Sequence, residues 1–294
     1  MHIPSNILRR LRATVVLAPI CALALAGASS SSFAAVIATV VHEEGFEVDV
    51  GDWLALGLNA GIERVASGTN SIPSAGGDWH AEVVGGAYTF FGNPPGARSA
   101  PGSEFGFIST IDIYLDVQGG WANDTRADYI VAASSVTGSH LRDFTFNMGF
   151  YDDVSGVAGS GSGFIISASP NAGRSNSFPS NPGRDPISIT DSGWHTFQHL
   201  FQEGADGALE VTMSIIDENG NEMGSWTLSE PSDDFATVFG GSFYGWMANN
   251  EFDFLAIDNV TMTVAPEPGK AMLLVVALLG WLTGSRRRSR PLPA

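Results

Sequence analysis

Three carboxylates crowd one short stretch, Glu47-Val48-Asp49-Val50-Gly51-Asp52. On a strand, residues two apart point to one face, about 6.8 Å from each other. Glu47 and Asp49 would share such a face, and Gly51 as a bulge would return Asp52 to it. Two carboxyls facing one groove can hydrolyse a glycosidic bond, with a separation of about 5–5.5 Å in the retaining mode. The simpler reading is a first strand with Phe46, Val48 and Val50 inward and the acids in water. That reading is the one expected, so no catalytic residue is assigned. His80 and Glu82 also stand two apart, which reads first as a hydrogen-bonded strand pair, with a metal or sugar contact as the alternative. His195 and His199 stand four apart, which on a strand is about 13 Å, too far to share one metal. Trp121 lies in the loop-like Gly119-Gly120-Trp121-Ala122-Asn123-Asp124. It and Trp79 are the expected flat faces for stacking on a sugar ring, with His80 beside them. No phosphate loop, Gly-x-Ser-x-Gly elbow or dinucleotide fingerprint occurs.

The elements that must position these residues are strands. Ile111, Ile113 and Leu115 alternate with Asp112, Tyr114 and Asp116, and Phe144, Phe146 and Met148 with Thr145 and Asn147. Leu209, Val211, Met213 and Ile215 alternate with Glu210, Thr212 and Ser214. Near the end, Phe254, Ala256 and Asp258 oppose Leu255, Ile257 and Asn259, and Val260, Met262 and Val264 follow. Period two with one apolar face marks the half-buried antiparallel strand. Asn219-Gly220 is a strong hairpin signal. Short helical turns are expected near Ile62 or Phe235 and no long helix between Val36 and Val264. About a dozen strands in one chain of this length predict an all-β, two-sheet antiparallel sandwich. Residues 156–163 and 169–186 read as loops, where ligands bind in such folds.

The chain has 294 residues, 35 of them Gly, one Cys, and a net charge of −17. Between Val36 and Val264 there are six arginines, no lysine and thirty acids, a net of −24. Nucleic-acid binding is not expected of such a surface. The basic residues gather at the two ends. Arg9, Arg10 and Arg12 precede an apolar run to Ala26 and a small-residue stretch, the order of a secretory signal peptide over 1–34. Signal peptidase is expected to cut after Ala34, which removes Cys21. At the other end Ala265-Pro266-Glu267-Pro268 is followed by the apolar run Ala271–Thr283 and by Arg286, Arg287, Arg288 and Arg290. Arginines beyond an apolar helix stay on the cytoplasmic side, which puts the 35–264 domain across the membrane.

This three-part ending resembles the PEP-CTERM sorting signal of Gram-negative bacteria. The resemblance covers residues 265–294 and implies recognition by an exosortase, a membrane cysteine protease. It implies an inner-membrane anchored precursor, cut near Pro266-Glu267-Pro268 and passed to the envelope or extracellular polysaccharide matrix. The central domain resembles the concanavalin-A-like, laminin-G-like jelly rolls, on Gly193-Trp194-His195-Thr196-Phe197, on the hairpin from Leu209, on Ala256-Ile257-Asp258-Asn259-Val260 and on Gly76–Val83. That implies a binding-module sandwich, with matrix polysaccharide as the partner. It also implies a structural calcium between the first and last strands, held by Glu44 or Glu47 with Asp258. Glu47, Asp49 and Asp52 resemble the carboxylate strand of laminarinase-type glycoside hydrolases, which share the fold and supply the alternative function.

Overall fold

The computed structural model describes residues 39–92, 105–154, 161–170, 185–238 and 241–266. Two compact units divide the chain, 1–35 and 36–294, and every described residue belongs to the second. The signal-peptide segment, Glu267, Pro268, the apolar run 271–283 and Arg286, Arg287 and Arg288 lie outside the described residues. Among those described, no helix is long and apolar enough to cross a membrane.

Among the described residues fifteen strands follow in order. They are β1 (Thr39–Glu44), β2 (Leu54–Ala55), β3 (Gly61–Ala66), β4 (Trp79–Val84), β5 (Ala87–Gly92), β6 (Phe105–Leu115), β7 (Thr125–Ser134) and β8 (His140–Tyr151). Then come β9 (Gly163–Pro170), β10 (Ile187–Ile189), β11 (Gly193–Glu203), β12 (Ala208–Asp217), β13 (Glu222–Asp234), β14 (Phe243–Ala248) and β15 (Leu255–Pro266). A helical turn, α1 (Phe235–Val238), forms where Phe235 suggested it, and a 3-10 turn spans Thr69–Ser71. Ile62, the other suggested turn, lies in β3.

Two antiparallel sheets result. One runs β13-β12-β11-β6-β15-β4-β3, with β1 also paired to β15, and the other runs β10-β9-β8-β7-β14-β5-β2. In the first, β15 separates β4 from β6; in the second, β14 separates β5 from β7. The last two strands of the chain thus complete both sheets. The inner faces supply one core, in which Phe107, Phe146, Phe197 and Phe201 are sealed from water.

The expected alternations appear as β6, β8, β12 and β15. The change of phase in β15 has a local cause. Leu255 and Ile257 point inward, and so do Val260 and Met262. One extra residue must be absorbed between them, and the register shifts between Asp258 and Thr261, with Asn259 at φ 46°. A bulge keeps Leu255, Ile257, Val260, Met262 and Val264 on the core side. The Asn219-Gly220 turn closes β12 onto β13, with Gly220 at φ 81° and the Asp217 carboxylate accepting from the Asn219 and Asn221 amides.

The stretch holding Glu47, Asp49 and Asp52 is not a strand. β1 stops at Glu44, and residues 45–53 form bends and a turn. Phe46 has φ 56° and drops into the core, whereas Val48 is 84% exposed. The Glu44 carboxylate accepts from the Phe46 amide at 2.8 Å and the Asp49 carboxylate from the Gly51 amide at 2.8 Å. Side chains that bind nearby amides compete with a sheet ladder, and here they win.

Strand β15 runs on to Pro266, whose partner is Phe105. Truncation after Pro268 should therefore leave the melting temperature of the sandwich unchanged. Truncation after Asp253 removes a central strand and should abolish cooperative unfolding. Circular dichroism melts of the two truncated chains check this.

Candidate functional site

Of the residues singled out from sequence, Glu47, Trp79, His80 and Asp258 meet at the 67–79 segment. There they hold the backbone. The Glu47 carboxylate accepts from the Asp78 and Trp79 amides at 3.1 and 3.2 Å. Arg64 donates to the Phe46 carbonyl at 2.5 Å and to the Glu47 carbonyl, and its guanidinium sits 3.5 Å above the Trp79 ring. A cation therefore caps the face of Trp79 that was expected to receive a sugar. Asp49 is occupied with Gly51, and Asp52 is exposed in the turn. Glu47 and Asp49 share no strand face.

His80 is fully buried. Its Nδ1 is 3.0 Å from Ser74 Oγ, and its ring meets Trp194 edge-on at 5.9 Å. Burial lowers its pKa below the usual histidine value. A neutral histidine under a loop is not placed to meet a polymer. Trp121 donates its Nε1–H to the Asp116 carbonyl at 2.8 Å and packs edge-on against Phe252 and Phe254. It is half-buried against the core rather than free.

Glu44, Glu47 and Asp258 do not converge on a cation. Each carboxylate serves different amides: Phe46 for Glu44, Asp78 and Trp79 for Glu47, Gly76 and Asn259 for Asp258. Among the described residues no group of three His, Cys, Asp or Glu is placed to hold a metal ion. Burial and the nearby Asp49 and Asp52 raise the Glu44 carboxyl above its ordinary range, opposed by backbone amides.

A different surface has the makings of a binding site, and sequence reasoning did not select it. It is the outer face of the seven-stranded sheet. Pairing register places Leu54, Tyr88, Trp246, Ile130, Thr145 and Ser169 in one row across β2, β5, β14, β7, β8 and β9. A second row holds Ala248, Asp128, Asn147 and Ser167. The face has two halves. On β5 and β14, Tyr88, Phe90, Tyr244 and Trp246 form an aromatic patch outside the core. Phe90 and Tyr244 lie 5.1 Å apart and Tyr244 and Trp246 6.3 Å apart, with Phe90 42% exposed and the other three half-buried.

On β7, β8 and β9 the face is polar and closed to water. Asp128 Oδ1 accepts from Asn147 at 2.8 Å, and Ser169 donates to Asn147 Oδ1 at 3.0 Å. Asp128 Oδ2 accepts from Asn249 at 2.7 Å. Asn249 is exposed, follows β14 and has φ 49°, so a buried carboxylate holds an accessible amide beside the aromatic patch. Thr145 Oγ and Ser167 Oγ are buried on this face without a hydrogen-bond partner. The sequence did carry a signal: Tyr244 and Trp246 alternate with Phe243 and Met247. Period two cannot say which set faces the core.

No family model and no curated protein matches this chain in sequence. In structure it is similar to the CBM2 module of the evolved Dit of Lactobacillus casei BL23 phage J-1 (TM-score 0.42, 9% identity, 78% of this chain and 97% of that one). It is similar to an endo-β-1,4-glucuronan lyase of the fungus Trichoderma reesei (TM-score 0.40, 10% identity, 76% and 95%). It is also similar to the metal-free lectin I-B4 of Griffonia simplicifolia (TM-score 0.37, 12% identity, 76% and 99%). Likenesses of this degree carry no argument; the strand order and register establish the sandwich.

Asp258 yields a pH effect of known sign. It is fully buried, and burial raises its pKa to about 6, opposed by the amides it accepts from and helped by Asp112. An unfolded Asp titrates near ~3.9. The folded chain thus binds this proton more tightly, and the stabilisation is complete below about pH 4 and lost as pH rises through about 6. Asp258→Asn should flatten the dependence of melting temperature on pH between 4 and 7. The asparagine amide can accept from only one of the Gly76 and Asn259 N–H groups, so the variant should melt below the parent at pH 4, with the gap narrowing as pH rises to 7.5. Thermal melts across that range check both.

Proposed function

We propose that this chain is an exported protein of a Gram-negative bacterium whose sandwich binds envelope or matrix polysaccharide without cleaving it. Signal peptidase and an exosortase act on its two ends. One observation carries the binding reading: the aromatic patch of Tyr88, Phe90, Tyr244 and Trp246, outside the core and edged by the Asp128-held Asn249. Aromatic rings left at a surface, beside a few fixed polar groups, are what a carbohydrate site needs: flat apolar faces for C–H groups and amides for hydroxyls. The non-catalytic reading is supported by Glu47 and Asp49, whose carboxylates are committed to loop amides. The glycoside-hydrolase alternative through Glu47, Asp49 and Asp52 draws no support from that geometry.

Export and sorting rest on the order of charge and apolarity at the two ends. A surface of net −24 with no lysine keeps such a protein soluble and away from anionic polymers.

Retention on a panel of insoluble and immobilised polysaccharides tests the reading. Trp246→Ala and Phe90→Ala should each weaken retention at least about tenfold, a loss of ~1.4 kcal/mol or more. Trp121→Ala should leave it unchanged, and no new reducing ends should appear. Full retention by both patch variants would refute the site.

A further inference from the structure

The centre of the sandwich is not wholly apolar. His199 on β11 faces inward between Phe197 and Phe201 and is fully buried. Its Nε2 lies 3.1 Å from the Phe144 carbonyl of β8, in the opposite sheet. A carbonyl can only accept, so Nε2 carries the proton. On the β9 side the residue opposite Phe144 is Pro170, which has no N–H to give that carbonyl. Burial lowers the His199 pKa to about 3. The ring is therefore neutral near pH 7, and its Nδ1 is a lone pair that needs a donor.

Two hydroxyls flank that ring. Ser109 stands opposite His199 in the ladder of β6 and β11, inward between Phe107 and Ile111. Tyr129, inward on β7 of the other sheet, meets the His199 ring edge-on at 5.5 Å. Burial raises the pKa of its phenol, opposed by the Ser109 hydroxyl it faces. All three side chains are fully buried. Among the described residues, His199 Nδ1, Tyr129 Oη and Ser109 Oγ each lack a hydrogen-bond partner. Buried polar atoms are nearly always partnered, by protein or by an ordered water. We infer that these three atoms bind one internal water, which joins the two sheets. The water donates to Nδ1, accepts from the Tyr129 O–H and gives its second hydrogen to Ser109 Oγ. Three bonds is the usual number for a buried water. With the bond from His199 to Phe144, this ties β6 and β11 to β7 and β8 through the core. No disulfide does so between Val36 and Val264, since the one cysteine is Cys21.

The site is independent of the polysaccharide reading and is tested without a glycan. A crystal structure of the full-length chain in mild detergent, at a resolution that shows ordered water, reads it directly. The expected result is one water within about 3.2 Å of His199 Nδ1, Tyr129 Oη and Ser109 Oγ. Tyr129→Phe, which removes one of its three partners, should lower the melting temperature by about 2–4 °C. No water at that position, or a direct hydrogen bond from Tyr129 Oη to Nδ1, would overturn the inference. So would a melting temperature unchanged or raised in Tyr129→Phe, because a hydroxyl without a partner costs stability rather than adding it.

Discussion

Both sheets depend on the hydrogen bonding of the last two strands into their middles. Residues 243–248 pair with β5 on one side and β7 on the other, and residues 255–266 pair with β1, β4 and β6. Until they arrive, β4 and β6 have no common neighbour, nor do β5 and β7. Pairings of such sequence separation cost loop entropy before they return stability. The sandwich therefore closes only once nearly all of the chain is available. The last described ladder pair, Pro266 with Phe105, falls within the Ala265-Pro266-Glu267-Pro268 stretch.

The same constraint builds the candidate site. Tyr244 and Trp246 lie on β14, and their partners Phe90 and Tyr88 come from a strand some 150 positions earlier. The inner side of β14 offers Phe243 and Met247 to the core, so the outer side is rigidly backed. Stacking surfaces on strands are better fixed than those on loops. Trp121 shows the contrast: it comes from a loop, and its ring is drawn down onto Phe252 and Phe254.

Much of this fold was legible in the sequence, because period two with one apolar face survives any detail of tertiary packing. The alternation around Ile111 and around Val211 and the Asn219-Gly220 turn carried through. The stretch from Glu47 to Asp52 did not. Phe46, Val48 and Val50 alternate as a strand would, yet two local carboxylate–amide bonds and an arginine 17 residues away bend the chain. Glu47, His80 and Asp258, read from sequence as ligand or metal contacts, are hydrogen-bonded to the loop that covers them, and Trp79 lies under the Arg64 guanidinium. The site on the seven-stranded sheet was hidden for another reason: which face of a strand looks inward is decided by partners, not by its own residues.

The central claim is that the outer face of the seven-stranded sheet, and not the 67–79 loop, contacts polysaccharide. Hydrogen–deuterium exchange with and without a saturating soluble oligosaccharide tests it most directly. The account expects slowed exchange confined to residues 87–92 and 243–249. Slowed exchange at residues 45–53 and 75–82, with none on β5 and β14, would contradict it.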